Sequence, residues 1–134
     1  MTKEEIKELC ETWTEYLQCN SGSLHEGYML NGDEVVYITD DAEVLESSEE
    51  KLIEDINHAF SEDFWQRDTG WLVNEFVEVL LGIEYAGNEA RWTAAYNAMM
   101  QIEPGRREDY IKQEFMEYYD DPFKRADYLL QSVK

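Results

Sequence analysis

Ile6, Leu9, Cys10, Trp13, Tyr16 and Leu17 recur at helical intervals, and at about 100° per residue they gather on one side of a helix. Glu4, Glu8, Glu11 and Glu15 fall in a narrow stripe on the opposite side. Thr2 followed by Glu5 has the spacing of a capping box, in which each side chain satisfies the other's backbone N–H. The pattern predicts a first helix that is acidic outside and apolar inside.

Asn20-Ser21-Gly22-Ser23 reads as a loop. Asn31-Gly32, set between Gly27-Tyr28-Met29-Leu30 and Glu34-Val35-Val36-Tyr37-Ile38, is a strong hairpin signal because both turn residues tolerate positive φ. Asp40 to Glu46 is expected to be an acidic connection. Ser47 with Glu50 suggests a second capping box, leading into a helix that buries Leu52, Ile53, Ile56, Ala59 and Phe60 and turns Glu50, Glu54 and Asp55 outward.

Trp71 to Leu81 is apolar on most sides, which predicts a central, largely buried helix. Gly82 and Gly87 bracket its end, and Asn88 is placed to cap a helix with Trp92, Ala95, Tyr96, Met99 and Ile102 on one face. Pro104-Gly105 is read as its stop. A further helix is expected from Arg106 to Tyr119, and Asp121-Pro122 as cap and first turn of a last one packing through Phe123, Ala126, Leu129, Leu130 and Val133. The fold class that follows is α+β and predominantly helical, with five to six helices and a two-stranded β-hairpin at about residues 27–38. Residues 1–134 are expected to form a single acidic globular domain.

Composition supports a folded chain. Of 134 residues, 43% are hydrophobic and 18 are aromatic, unlike the aromatic-poor composition of disordered segments. No apolar run reaches the roughly 18 residues of a bilayer span, and the N-terminus lacks a basic-then-apolar leader, so a cytoplasmic location is expected. Cys10 and Cys19 on one helix would lie about 13 Å apart along its axis, which predicts free thiols.

The net charge of −20 is unevenly spread. Residues 1–63 carry 18 acids against Lys3, Lys7 and Lys51, net −15, while residues 64–134 carry 13 acids against 8 bases, net −5. No Lys or Arg occurs in the 43 residues between Lys7 and Lys51, which hold 12 carboxylates. Such a surface repels nucleic acid and anionic membranes and steers toward cationic ones.

Catalytic chemistry has little purchase. Among 31 carboxylates, the pairs Asp40-Asp41, Glu62-Asp63 and Asp120-Asp121 arise by chance. Asp55 and His58 have a di-iron-like offset but lack the second copy such sites require, and the Asp33–Glu46 run lacks the spacing of a calcium loop. There is no phosphate loop, nucleophile elbow or Cys–His pairing, so neither an enzyme nor a cofactor is expected. Trp13, Trp71 and Trp92 lie on apolar faces, where packing explains them. Trp65, beside Phe64 in an expected connection between helices, is a candidate contact residue.

The reading is of an acidic inhibitor that binds a basic protein surface, that of a nucleic-acid-binding enzyme or nuclease, by placing carboxylates where phosphates would sit. The candidate partner-binding residues are Glu4, Glu8, Glu11, Glu15, Asp33, Glu34, Asp40, Asp41, Glu43, Glu46, Glu50, Glu54, Asp55 and Trp65. In charge and size alone the chain is similar to the small acidic proteins by which phages and plasmids disarm restriction or CRISPR nucleases, and it shares no motif with them. A helical stripe spaces its charges by about 5–6 Å, sparser than the ~3.4 Å between phosphates of one DNA strand, so mimicry requires a second row. The alternative is an immunity protein or antitoxin whose acidity complements one basic site, with aromatic anchors adding affinity, and an enzyme of unknown type ranks third.

Overall fold

A computed structural model describes residues 1–22 and 24–133, with the side chain of Trp65 outside the described part. Within it the order is α1 (Lys3–Ser21), β1 (Gly27–Asn31), β2 (Glu34–Ile38), β3 (Val44–Glu46), α2 (Glu49–Gln66), α3 (Thr69–Glu75) running into a π-helical turn (Phe76–Leu80), α4 (Glu89–Met100), α5 (Pro104–Tyr118) and α6 (Pro122–Val133). The α+β, mainly helical class is as the pattern indicates. Two compact units form, one from residues 1–60 and 121–134 and the other from residues 61–120.

The first unit contains α1, the sheet, most of α2, and α6. The capping box is present, with Thr2 accepting from the Glu5 N–H at 3.2 Å and Glu5 accepting from the Thr2 N–H at 3.3 Å. Two pieces of the expected loop belong to α1 instead: Asn20 and Ser21 are helical, and Gly22 ends the helix in the left-handed region at φ 74°. Ser23, the last residue of that expected loop, lies outside the described residues.

The Asn31-Gly32 turn forms the hairpin, pairing Tyr28 with Tyr37 and Leu30 with Val35. The sheet has three strands rather than two, in the order β1-β2-β3, because part of the expected acidic connection pairs antiparallel with β2 through Val36–Glu46, Tyr37–Leu45 and Ile38–Val44. The cap of α2 is Ser48, whose hydroxyl accepts from the Lys51 N–H at 3.1 Å, one residue later than the expected Ser47. The core joins Leu9, Cys10 and Trp13 of α1, Leu52, Ile56 and Phe60 of α2, and Ala126, Leu129 and Leu130 of α6. Each large side chain so buried contributes about 1.5–3 kcal/mol.

In the second unit the expected Trp71–Leu81 helix begins earlier, at Thr69, because Asp68 accepts from the Trp71 N–H at 2.8 Å. Its last turn widens to π geometry, with the Leu81 N–H donating to the Phe76 carbonyl at 3.1 Å. Pro104 does not follow a stop but starts α5, where a missing N–H costs nothing. Asn88 precedes α4 without a side-chain cap. Phe64 stacks on Phe115 at 4.8 Å between ring centroids, within a core that includes Leu72, Val73, Val77 and Ile111. Trp92 stacks on Tyr96 at 5.1 Å, and Tyr85 meets Trp92 edge-on at 5.2 Å.

Candidate functional site

All thirteen carboxylates predicted to meet a partner lie in the first unit, but the fold distributes them over separate places. Glu4, Glu8, Glu11 and Glu15 form the exposed stripe of α1, spanning about 16 Å of helix axis. The opposite side of α1 buries Leu9, Cys10 and Trp13, and the helix packs along β1 and α6. Burial pushes the Cys10 thiol up to about 11, with Glu11 adding to the effect, so it is an inert core group.

Asp40, Asp41 and Glu43 project from the turn joining β2 to β3. Thr39 closes that turn: its N–H donates to the Glu43 carbonyl at 2.9 Å, and its hydroxyl accepts from the Glu43 N–H at 3.2 Å. Ala42 sits there at φ 61°, a left-handed conformation without glycine. The acids are thus presented by a defined turn.

A groove of about 440 Å³ opens where the hairpin tip, the start of α2 and the first turns of α1 meet, lined by Ile6, Val35 and Val36 and by Asp33, Glu34, Glu46 and Glu49, with Ser47 and Ser48. Three predicted residues, Asp33, Glu34 and Glu46, come together here. Glu49 joins them. The sequence pattern does not single it out. Two of the four acids are answered from within the chain. Lys3 pairs with Asp33, and the N-terminal amine lies 3.9 Å from Glu49. Glu34 and Glu46 have no ion pair or side-chain hydrogen bond among the described residues.

Farther along α2, Glu50 and Glu54 flank Ile53, Asn57 and His58 in a shallow depression of about 540 Å³. Asp55 differs from them because it is occupied within the fold. It accepts from the Tyr28 hydroxyl and pairs with Lys51 at 3.1 Å. Burial first, and then the bond to Asp55, raises the Tyr28 phenol well above its ordinary 10.0, while a hydrogen bond from Ser47 opposes the shift. Tyr37 is raised by the same logic, by burial and then by its bond to Glu26. The two rings meet at 5.0 Å across the strands. Both phenols are held as protonated donors, Tyr28 tying the sheet to α2 and Tyr37 tying β2 to the residue before β1, and neither is a base or a nucleophile at neutral pH. Glu26 was not anticipated, since nothing in a single sequence pairs it with Tyr37.

Trp65 lies inside α2 rather than in a connection between helices, and its side chain falls outside the described residues. Among the described residues, no group of three or more His, Cys, Asp and Glu side chains is arranged to hold a metal ion. Among the described residues no helix is long and apolar enough to cross a membrane. The chain matches no family model, and neither curated proteins nor solved structures give a significant match to it.

Proposed function

We propose that the protein is an acidic inhibitor that occupies a basic protein surface, the kind that binds nucleic acid. One observation carries the reading. The 43 residues from Glu8 to Glu50 contain no Lys or Arg, and ten of their 12 carboxylates are exposed on the first unit. Clustered charge of this size destabilises the compact state by self-repulsion and, in exchange, accelerates encounter with a cationic partner.

The geometry favours discrete carboxylate contacts over imitation of a continuous phosphate strand. The flanks of α1 are taken by β1 and α6, so the acids of α2 do not form a row packed directly beside the α1 stripe. A dedicated interface to one basic protein, of the immunity-protein type, therefore stands as the second reading.

Capture of partners on the immobilised chain, followed by competition with DNA, tests both. The inhibitor reading expects basic nucleic-acid-binding proteins that are released by DNA and by moderate salt. It also expects that neutralising Asp40, Asp41, Glu43 and Glu46 slows association more than neutralising Glu108, Asp109, Glu114 and Glu117. Equal effects of the two sets, or partners without basic surfaces, would refute it. Binding that persists in high salt and is lost with a single Tyr or Trp substitution would favour the dedicated interface.

A further inference from the structure

The groove at the hairpin tip has an apolar lining and a charged rim, and the rim is neutralised on only part of its circumference. Asp33 is matched by Lys3 and Glu49 by the N-terminal amine. Glu49 also stands in the first turn of α2, where the positive end of the helix dipole favours a negative charge. Glu34 and Glu46 have neither kind of compensation.

The sheet register places these two acids on one face. Val36 pairs with Glu46, and Glu34 stands two residues from Val36 on the same strand, so all three side chains leave the same side. Diagonal neighbours of this kind are about 7–8 Å apart, close enough for two like charges to repel. Folding therefore holds two carboxylates over a buried valine with no cation between them, and Ile6 adds to the apolar lining beside them.

We infer that this groove receives an arginine side chain from the basic partner. The aliphatic stem would lie along Ile6 and Val36, and the guanidinium would bridge Glu34 and Glu46. Arginine suits the site better than lysine because its planar fork offers donors in two directions, as two separated carboxylates require, and its guanidinium is more weakly hydrated than an ammonium. The inference rests on the proposed binding of a basic protein and assigns one contact within it.

The test uses the full chain, labelled at Ile and Val methyl groups, titrated at low salt with a blocked Ala-Arg-Ala tripeptide and followed by NMR. Saturable shifts at Ile6 and Val36 are expected, with none from the same peptide carrying neutral citrulline. Glu34→Gln combined with Glu46→Gln weakens binding about tenfold, the product of two exposed ion pairs. Asp109→Asn combined with Glu117→Gln, exposed acids of the other unit, leaves it unchanged. Thermal melting accompanies each titration. The Glu34→Gln, Glu46→Gln chain is expected to melt no lower than the natural one, since a repulsion has been removed, so lost binding would not reflect lost folding.

Equal shifts from citrulline, shifts that do not saturate, or equal affinity for an Ala-Lys-Ala peptide would overturn the inference. Its failure is separable from that of the proposed function. If the doubly substituted chain still captures a basic protein with unchanged salt dependence, the groove assignment falls and the inhibitor reading stands. If the groove binds the arginine peptide but the chain captures no basic protein, the reverse holds.

Discussion

Thr14 holds the backbone of Tyr28 twice through one hydroxyl, which accepts from the Tyr28 N–H and donates to the Tyr28 carbonyl, each at 2.8 Å. The outer edge of β1 is therefore closed by a helix side chain at the point where another strand could otherwise pair. Thr14→Val keeps the shape and removes both bonds. It should cost about 1–3 kcal/mol in urea denaturation, because two strand-edge groups lose their partner, whereas Thr14→Ser should stay near the natural chain.

The same contact explains a glycine. A Cβ on Gly27 would lie 2.3 Å from Thr14 Cγ2, so α1 approaches the strand more closely than any side chain permits. Gly27→Ala should destabilise the chain by about 1–3 kcal/mol, and by less when Thr14 is already Ala. A double-mutant cycle should give a coupling of about 0.5–3 kcal/mol, and additive effects would contradict the contact.

Alkaline pH should unfold the protein by way of its buried phenols. Tyr28 and Tyr37 have folded values raised above 10.0, so above about pH 10 the unfolded chain releases protons that the folded chain retains. Their contribution is complete below that pH and is lost as pH rises through the folded values. Cys10, raised from 9.0 to about 11, starts the decline earlier, and Lys51, raised by Asp55, acts in the same direction. Denaturation midpoints should fall from about pH 9 upward, and less steeply in Tyr28→Phe and Tyr37→Phe.

Arg107 is only 4% exposed, and its Nη1 donates to the carbonyls of Met100 at 3.1 Å and Ile102 at 2.9 Å. Met100 is the last residue of α4 and Ile102 lies two residues beyond it, so the cation also meets the negative end of the helix dipole. Arg107→Met retains most of the volume and removes the donors. It should cost about 1.5–3 kcal/mol and speed amide exchange at the end of α4 and the start of α5.

Salt should stabilise the natural chain. Between about 10 mM and 1 M salt the Debye length falls from about 30 Å to about 3 Å, which screens the repulsion among the exposed acids of the first unit. The melting temperature should rise over this range, and rise less once Asp40, Asp41, Glu43 and Glu46 are neutralised. A flat response would mean that the acids are too dispersed to repel.

Local chemistry made much of the architecture readable in advance. Thr2 and Glu5 cap α1, Asn31-Gly32 turns the hairpin, and Asp121 accepts from the Lys124 N–H at 2.8 Å at the start of α6, because each device acts within a few residues. The alternation of acid and apolar positions along α1 likewise fixed which face is wet. What lay beyond reach depended on partners distant in the chain. β3 is a strand because β2 lies beside it, and its three residues carry no turn glycine to announce it. Asp55 has the spacing of an outward acid, yet Tyr28, 27 residues away, takes it into the fold. Glu34 and Glu46 are 12 positions apart, and only strand register puts them over the same valine. Sequence determined how much negative charge the first unit carries, since that is composition. Tertiary structure decided which acids are satisfied internally and which remain for a partner, since pairing depends on distances across elements that no local pattern encodes.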